Sequence, residues 1–340
     1  MTGRLRTWLP IVPASHFGIV LGLSGLGAAW RVAHRVWPLP ALVGELWMLL
    51  AALAWLVILT LYVAKWFLFR AEALAEVAQP VQCCFIGLAG VATMLVAGAL
   101  LPLVRAPAVA LFFVGMLFTL GFAVWRTGGL WHGGRDIATV APVLYLPAAA
   151  GSFITAIVAG ALGWADWGQL AFGSGIFSWL AIDSVLLHRF LTGPTFAEAL
   201  RPTLGIQLAP APVAALAYLS VLPDGPVVVV HMLVGYGILE ALVLLRLSSW
   251  IRAKAPAVSF WGFTFGGTAL ATAPLRLVAA GNHGAMAVLA PVLFVAANAL
   301  VLIVGVGTIR AWLSRTGSVA SSSPPERTVL ARGCGVSVSS

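Results

Sequence analysis

The sequence predicts an all-α integral membrane protein with ten transmembrane helices. Three observations lead there. Of the 340 residues, 61% are apolar and only 9% are charged, whereas soluble domains carry about a quarter charged residues. No Asp, Glu, Lys or Arg occurs across 7–30, 106–125, 137–165, 202–223, 255–275 or 277–309, and roughly 20 apolar residues span a bilayer as a helix. The runs are apolar on every face. A barrel strand would alternate polar and apolar residues, and lipid tolerates only helices or closed barrels.

Taken in order, the predicted spans are 11–31, 41–66, 81–101, 107–125, 142–163, 167–189, 203–222, 226–249, 257–279 and 284–310. The first follows only two arginines, Arg4 and Arg6, and shows no small-residue cleavage site. It reads as a retained helix rather than a signal peptide. The longest connection, 126–141, carries Gly128, Gly129, Gly133 and Gly134. From Leu313 the chain turns polar and serine-rich. The division is therefore a membrane domain over 1–310 and a polar, disordered cytoplasmic tail over 311–340. Cys83, Cys84 and Cys334 show no metal-ligand or disulfide spacing. No metal and no cofactor is expected.

Ten spans place both termini on one side. That face holds Arg4, Arg6, Lys65, Arg70, Arg126, Arg135, Arg189, Arg201, Arg246, Arg252, Lys254, Arg310, Arg315, Arg327 and Arg332. The other face holds Arg31, Arg35, Arg105 and Arg276. Fifteen against four of the 19 basic residues is a positive-inside bias, and it places both termini in the cytoplasm of a cell inner membrane. It also accounts for most of the +9 net charge without a nucleic-acid partner.

A repeat runs through the odd spans. Phe17-Gly18-Ile19-Val20-Leu21-Gly22, Phe85-Ile86-Gly87-Leu88-Ala89-Gly90, Leu146-Pro147-Ala148-Ala149-Ala150-Gly151, Gly205-Ile206-Gln207-Leu208-Ala209-Pro210 and Trp261-Gly262-Phe263-Thr264-Phe265-Gly266 share a small-residue texture marked by aromatics in most copies. Their starts recur about every 60 residues, one helical hairpin apart. Five hairpins predict a quasi-fivefold ring around a central pore, with odd spans inside and even spans facing lipid. Gly22, Gly90, Pro147, Pro210 and Gly266 are the candidate helix kinks, since Gly and Pro bend helices that line a cavity. Close helix packing through small residues is the competing explanation.

At these residues the chain resembles the tellurite-resistance and C4-dicarboxylate transporter family, which includes the bacterial TehA-type channels and the plant guard-cell slow anion channels. The resemblance is carried by the first repeat, by Phe172-Gly173-Ser174-Gly175 running to Trp179 and Asp183-Ser184-Val185-Leu186-Leu187, and by Arg201-Pro202-Thr203-Leu204-Gly205-Ile206 with Leu208-Ala209-Pro210-Ala211. Gly235-Tyr236-Gly237 through Leu244-Leu245-Arg246-Leu247 and the last repeat complete it. It covers about 11–310. It implies ten helices in five hairpins, a homotrimer with one pore per subunit, passage of small inorganic or organic anions, and a gate phenylalanine from the ninth span. Members often have proline in the first and third spans, where this chain has Val20 and Gly90. The plant members follow the gate phenylalanine with proline, where this chain has Gly266.

The gate falls on Phe265 by that resemblance. Phe263 is two residues away, about 200° round the helix, so both cannot face one axis. Phe17, Phe85, Phe153, Ser152, Thr264 and Pro210 are the candidate pore-lining residues. Asp183 and Glu240 are intramembrane acids, which mark function by default. Arg189 and Arg246 lie one to two turns on, and a structural ion pair, or an acid facing a polar crevice, is favoured over a proton relay. Arg276 either draws anions to the mouth or caps a helix. The inner spans hold no catalytic pair, which argues against an enzyme. They also hold no mid-membrane Lys or Arg to fix a dianion. Weak binding through backbone dipoles and the hydroxyls of Ser152, Thr155, Thr264 and Thr268 suits a channel. The alternative is a secondary transporter of oxyanions or C4-dicarboxylates such as tellurite, sulfite or malate, with or without proton coupling. Besides the anion, membrane lipid is the expected partner.

Overall fold

The computed structural model describes residues 9–252 and 257–321, and every regular element among them is helical. The α-helices are α1 (Phe17–Val36), α2 (Ala41–Leu68), α3 (Arg70–Ala78), α4 (Leu88–Leu100), α5 (Arg105–Trp131) and α6 (Gly151–Leu162). They continue as α7 (Ala165–Thr192), α8 (Pro210–Val221), α9 (Val227–Arg246), α10 (Ser248–Arg252), α11 (Trp261–Ala279) and α12 (Ala285–Ser321).

Eight helical segments are long and apolar enough to cross a membrane: Ala41–Leu68, Gln82–Leu100, Arg105–Trp131, Pro142–Leu162, Ala165–Thr192, Glu198–Val221, Val227–Arg246 and Ala285–Ser314. The chain is a multi-pass membrane protein. The sequence predicts ten spans. The remaining two, 11–31 and 257–279, are present as α1 and α11 but fall short of the same measure. Gly18, Gly22, Gly25, Gly27 and Arg31 dilute the apolar content of α1, and Thr264, Thr268, Thr272 and Arg276 dilute that of α11.

Burial sorts the segments into two kinds. In Gln82–Leu100, Pro142–Leu162 and Glu198–Val221, 78%, 67% and 72% of the most apolar stretch is buried. The figure is 22% for α2, α5, α7 and α9 and 28% for Ala285–Ser314. Leucines such as Leu46, Leu49, Leu53 and Leu56 on α2 stay exposed, as a lipid-facing helix requires. Each buried helix packs on the next outer one: α1 on α2, α4 on α5, α6 on α7, α8 on α9 and α11 on α12. The buried helices also touch one another in the order α1, α4, α6, α8, α11 and back to α1.

The repeat has a backbone signature. A 3₁₀ turn precedes each buried helix: Ala14–His16, Gln82–Gly87, Pro142–Leu144, Glu198–Leu208 and Ala257–Phe260. In the third, a π turn over Leu146–Ala150 intervenes before α6. Pro147 has no N–H and its ring crowds the carbonyl four residues back, so the ladder widens there. Pro210 likewise marks a break, at the first position of α8.

Gly22, Gly90 and Gly266 lie inside continuous α-helices, and each is a point of close approach. A Cβ at Gly22 would strike the Thr264 side chain, and one at Gly90 the Thr119 hydroxyl and the Gly115 carbonyl. Gly266 lies against the backbone of Leu208 and Ala209. Small residues here let helices touch. Two boundaries also differ. Helix α5 runs to Trp131, so Gly128 and Gly129 are helical, and only Gly133 (φ 78°) and Gly134 (φ 72°) turn the chain with left-handed backbone. Helix α12 continues to Ser321, past the predicted end at 310. Residues 322–340 of the predicted tail lie outside the described residues.

Candidate functional site

All five buried segments open onto one cavity of about 170 Å³. Its walls come from the 3₁₀ turns and the first turns of the helices that follow. Ser15, Gln82, Thr203 and Ser259 are among its polar residues, and no Asp, Glu, Lys or Arg among the described residues lines it. The lining residues farthest along their helices are Leu21, Val91, Phe153, Val213 and Phe265, one from each segment. Five helix N-termini therefore converge on an apolar collar.

The sequence-predicted residues divide at this cavity. Phe265, Phe85, Phe153 and Pro210 line it. Phe263 does not: its ring packs on Phe260 at 5.9 Å and against Gly205. Phe17 is fully buried with its ring edge-on to Tyr62, centroids 5.7 Å apart, so it packs α1 on α2. Thr264 is fully buried, faces Gly22 and donates to the Trp261 carbonyl at 2.8 Å. Ser152 opens instead into a lateral crevice of about 960 Å³ between α5, α6 and α7, opposite Ser174. Hydroxyls on a helix satisfy themselves on the preceding turn when no ligand competes. Thr268 does so on the carbonyl of Phe265 itself, at 3.0 Å.

The predicted ion pairs of Asp183 and Glu240 are absent. Arg189 donates to the carbonyls of Ile137 (3.0 Å) and Pro194 (2.8 Å), and Arg246 is exposed at the end of α9. Asp183 accepts three neutral donors: Tyr145 Oη at 2.5 Å, Gln207 Nε2 at 2.7 Å and Tyr236 Oη at 3.1 Å. It thus ties α7 to α9 and to two cavity-forming segments. Arg276 is engaged rather than free at a mouth. It donates to Ser220 Oγ (2.8 Å) and to the carbonyls of Leu216 and Leu219 (each 3.2 Å), closing the last turn of α8.

Sequence reasoning missed a second polar cluster. Glu76 on α3 accepts from the Ala14 amide (2.8 Å), Tyr62 Oη (3.2 Å) and Lys65 Nζ (2.8 Å). All of these charges are buried. The cluster pins the residue beside Ser15, at the cavity rim. Glu76 sits amid Arg70-Ala-Glu-Ala-Leu-Ala-Glu76, which reads as an ordinary polar connection. Gln207 was also legible: it is a lone amide in the run 204–209, where polar side chains need a partner.

Residues 12–309 match the family model of the SLAC1 type, described as voltage-dependent anion channel. The chain belongs to the voltage-dependent anion channel family. Members are anion channels and transporters, not enzymes. Within this family it is similar to a tellurite resistance protein TehA homolog of Haemophilus influenzae, 35% identical over 256 residues that cover 75% of this chain and 78% of that one. It is more distantly similar to an uncharacterized transporter of Methanocaldococcus jannaschii, 22% identical over 268 residues covering 68% and 71%. The voltage-dependent anion channel match takes in all five buried segments and the whole cavity lining.

Proposed function

We propose that the protein is an anion channel whose ten helices form five hairpins around a pore, gated by Phe265. The carrying observation is the cavity: five helix N-termini meet at a pocket without a charged side chain, and Phe265 stands in its collar. The 3₁₀ turns take up the first N–H groups of these helices, but the positive ends of the helix dipoles still face the cavity and favour anions. Dipoles and hydroxyls bind weakly enough to release an ion onward. The cyclic contacts of α1, α4, α6, α8 and α11 support the ring. A carrier of dianions usually fixes its substrate with a cationic group or with helix ends. The buried and half-buried arginines on or beside the inner helices are engaged elsewhere: Arg31 on Glu45, Arg201 on Trp250, and Arg189 and Arg276 on carbonyls. Among the described residues, therefore, no free buried cation favours the oxyanion or dicarboxylate transporter over the channel. The fifteen-to-four basic asymmetry supports an inner-membrane location with cytoplasmic termini. The homotrimer implied by the family resemblance belongs to the same proposal.

Purified protein in sealed vesicles should dissipate a chloride gradient, read by quenching of an entrapped halide-sensitive dye. Flux equal to that of empty vesicles, with chloride, nitrate and malate alike, would contradict the proposal.

A further inference from the structure

The Asp183 cluster contains more acceptors than donors, and the imbalance falls in one place. Tyr145 donates its hydroxyl proton to Asp183, and the Tyr236 hydroxyl, 3.1 Å from Asp183 Oδ2, has a single proton for both Asp183 and Glu240. Gln207 Nε2 gives one hydrogen to Asp183 Oδ1 at 2.7 Å and directs the other at Glu240 Oε1 at 3.5 Å. Turning the amide over would press its carbonyl oxygen onto the Asp183 carboxylate, so the orientation is fixed by its neighbour. Two acceptors are then left buried with no partner: Gln207 Oε1 and Glu240 Oε2. Leaving a buried acceptor unpaired is costly.

A proton on Glu240 would supply a donor where these two acceptors have none. A neutral carboxyl group is one O–H donor plus an acceptor, and a primary amide offers the complement. One proton on Glu240 Oε2, donated to Gln207 Oε1, pairs both acceptors. No other charged group substitutes for it. Asp183 on α7 is already met by three neutral donors, and Arg189 is engaged on carbonyls. Arg246, two turns along α9, points outward. A lateral crevice of about 870 Å³ bordered by Gln207, Tyr236 and Glu240 provides the route for proton exchange.

Gln207 is one residue from the gate's support. Leu208 and Ala209 follow it, and their backbone is what Gly266 rests on, next to Phe265. We propose that Glu240 is a proton-binding site, shared with the Gln207 carbonyl, whose occupancy biases the Phe265 gate. With the proton bound, the segment 207–209 is held against Gly266 in the closed arrangement. Without it, two carboxylates flank Gln207, the segment is pushed off, and the gate is freed. The link to the gate rests on the channel reading; the proton site does not.

Infrared spectra of the purified protein at neutral pH should show a protonated-carboxyl C=O band that is missing in Glu240→Gln. This variant keeps a donor for Gln207 Oε1, so it folds. No such band in the wild type, or the same band in Glu240→Gln, would overturn the site. In planar bilayers the wild-type anion current should rise about fivefold or more from acidic to alkaline pH, the lower range of ordinary allosteric coupling. Glu240→Gln should stay at the low current throughout. An unchanged pH response in Glu240→Gln would overturn the link to the gate. A wild type that shows the band yet carries no anion current would instead sink the channel reading and leave the proton site standing.

Discussion

Replacing Phe265 with alanine should raise anion conductance severalfold, measured on purified protein in planar bilayers. Phe265 is the α11 member of a collar otherwise formed by Leu21, Val91, Phe153 and Val213. A benzyl ring in a narrow passage blocks an ion sterically and offers no charge to offset the water the ion must shed. Truncation to a methyl removes that barrier and leaves α11 intact, because alanine is a good helix former. Phe263→Ala is the matched control. Its ring fills the space between Phe260 and Gly205, so its loss should lower folded yield and leave conductance unchanged. Well-folded Phe265→Ala with wild-type conductance, or an opened pore in Phe263→Ala, would remove Phe265 from the gate.

The second large effect is on stability. Glu76→Gln should destabilise the protein by about 3–5 kcal/mol, the usual result of leaving one member of a buried ion pair alone. Lys65 is 3% exposed and Glu76 8%, so the stranded ammonium has no water to return to. The Ala14 amide also loses the charge on its acceptor. Thermal unfolding in detergent, followed by tryptophan fluorescence, measures this. The double variant Lys65→Met with Glu76→Gln should recover much of the loss, because it removes the unpaired charge. If Glu76→Gln unfolds at the wild-type temperature, the clamp at the cavity rim is not structural.

The sequence carries the membrane class, the helix positions and the odd-even division openly, because each rests on a property of single residues. Charge-free runs mark spans, and the Gly-, Pro- and hydroxyl-rich helices are the buried ones. Phe265 and Phe263 were separable by helical phase once one of them was tied to the axis. Side-chain direction was less accessible. Phe17, Ser152 and Thr264 belong to inner spans, yet one packs on α2, one faces a lateral crevice and one meets Gly22. Which face of an inner helix meets the cavity depends on its rotation against four neighbours, and no periodicity encodes that when all faces are apolar. Gly22 and Gly90 are ambiguous for a related reason: a residue that permits bending equally permits contact, and the structure shows the contact. Pairings across long separations, Tyr145 with Asp183 and Tyr62 with Glu76, arise only when the hairpins assemble.

The reversal potential of the purified protein under a fixed chloride gradient tests the central claim most directly. With equal pH on both sides it should follow the chloride gradient, and imposing a pH gradient should leave it unchanged, since protons at Glu240 set how often the pore opens and not what passes through it. A reversal potential that moves with the pH gradient would show that proton movement is coupled to anion movement with net transfer of charge, and would contradict the account of this protein as a channel.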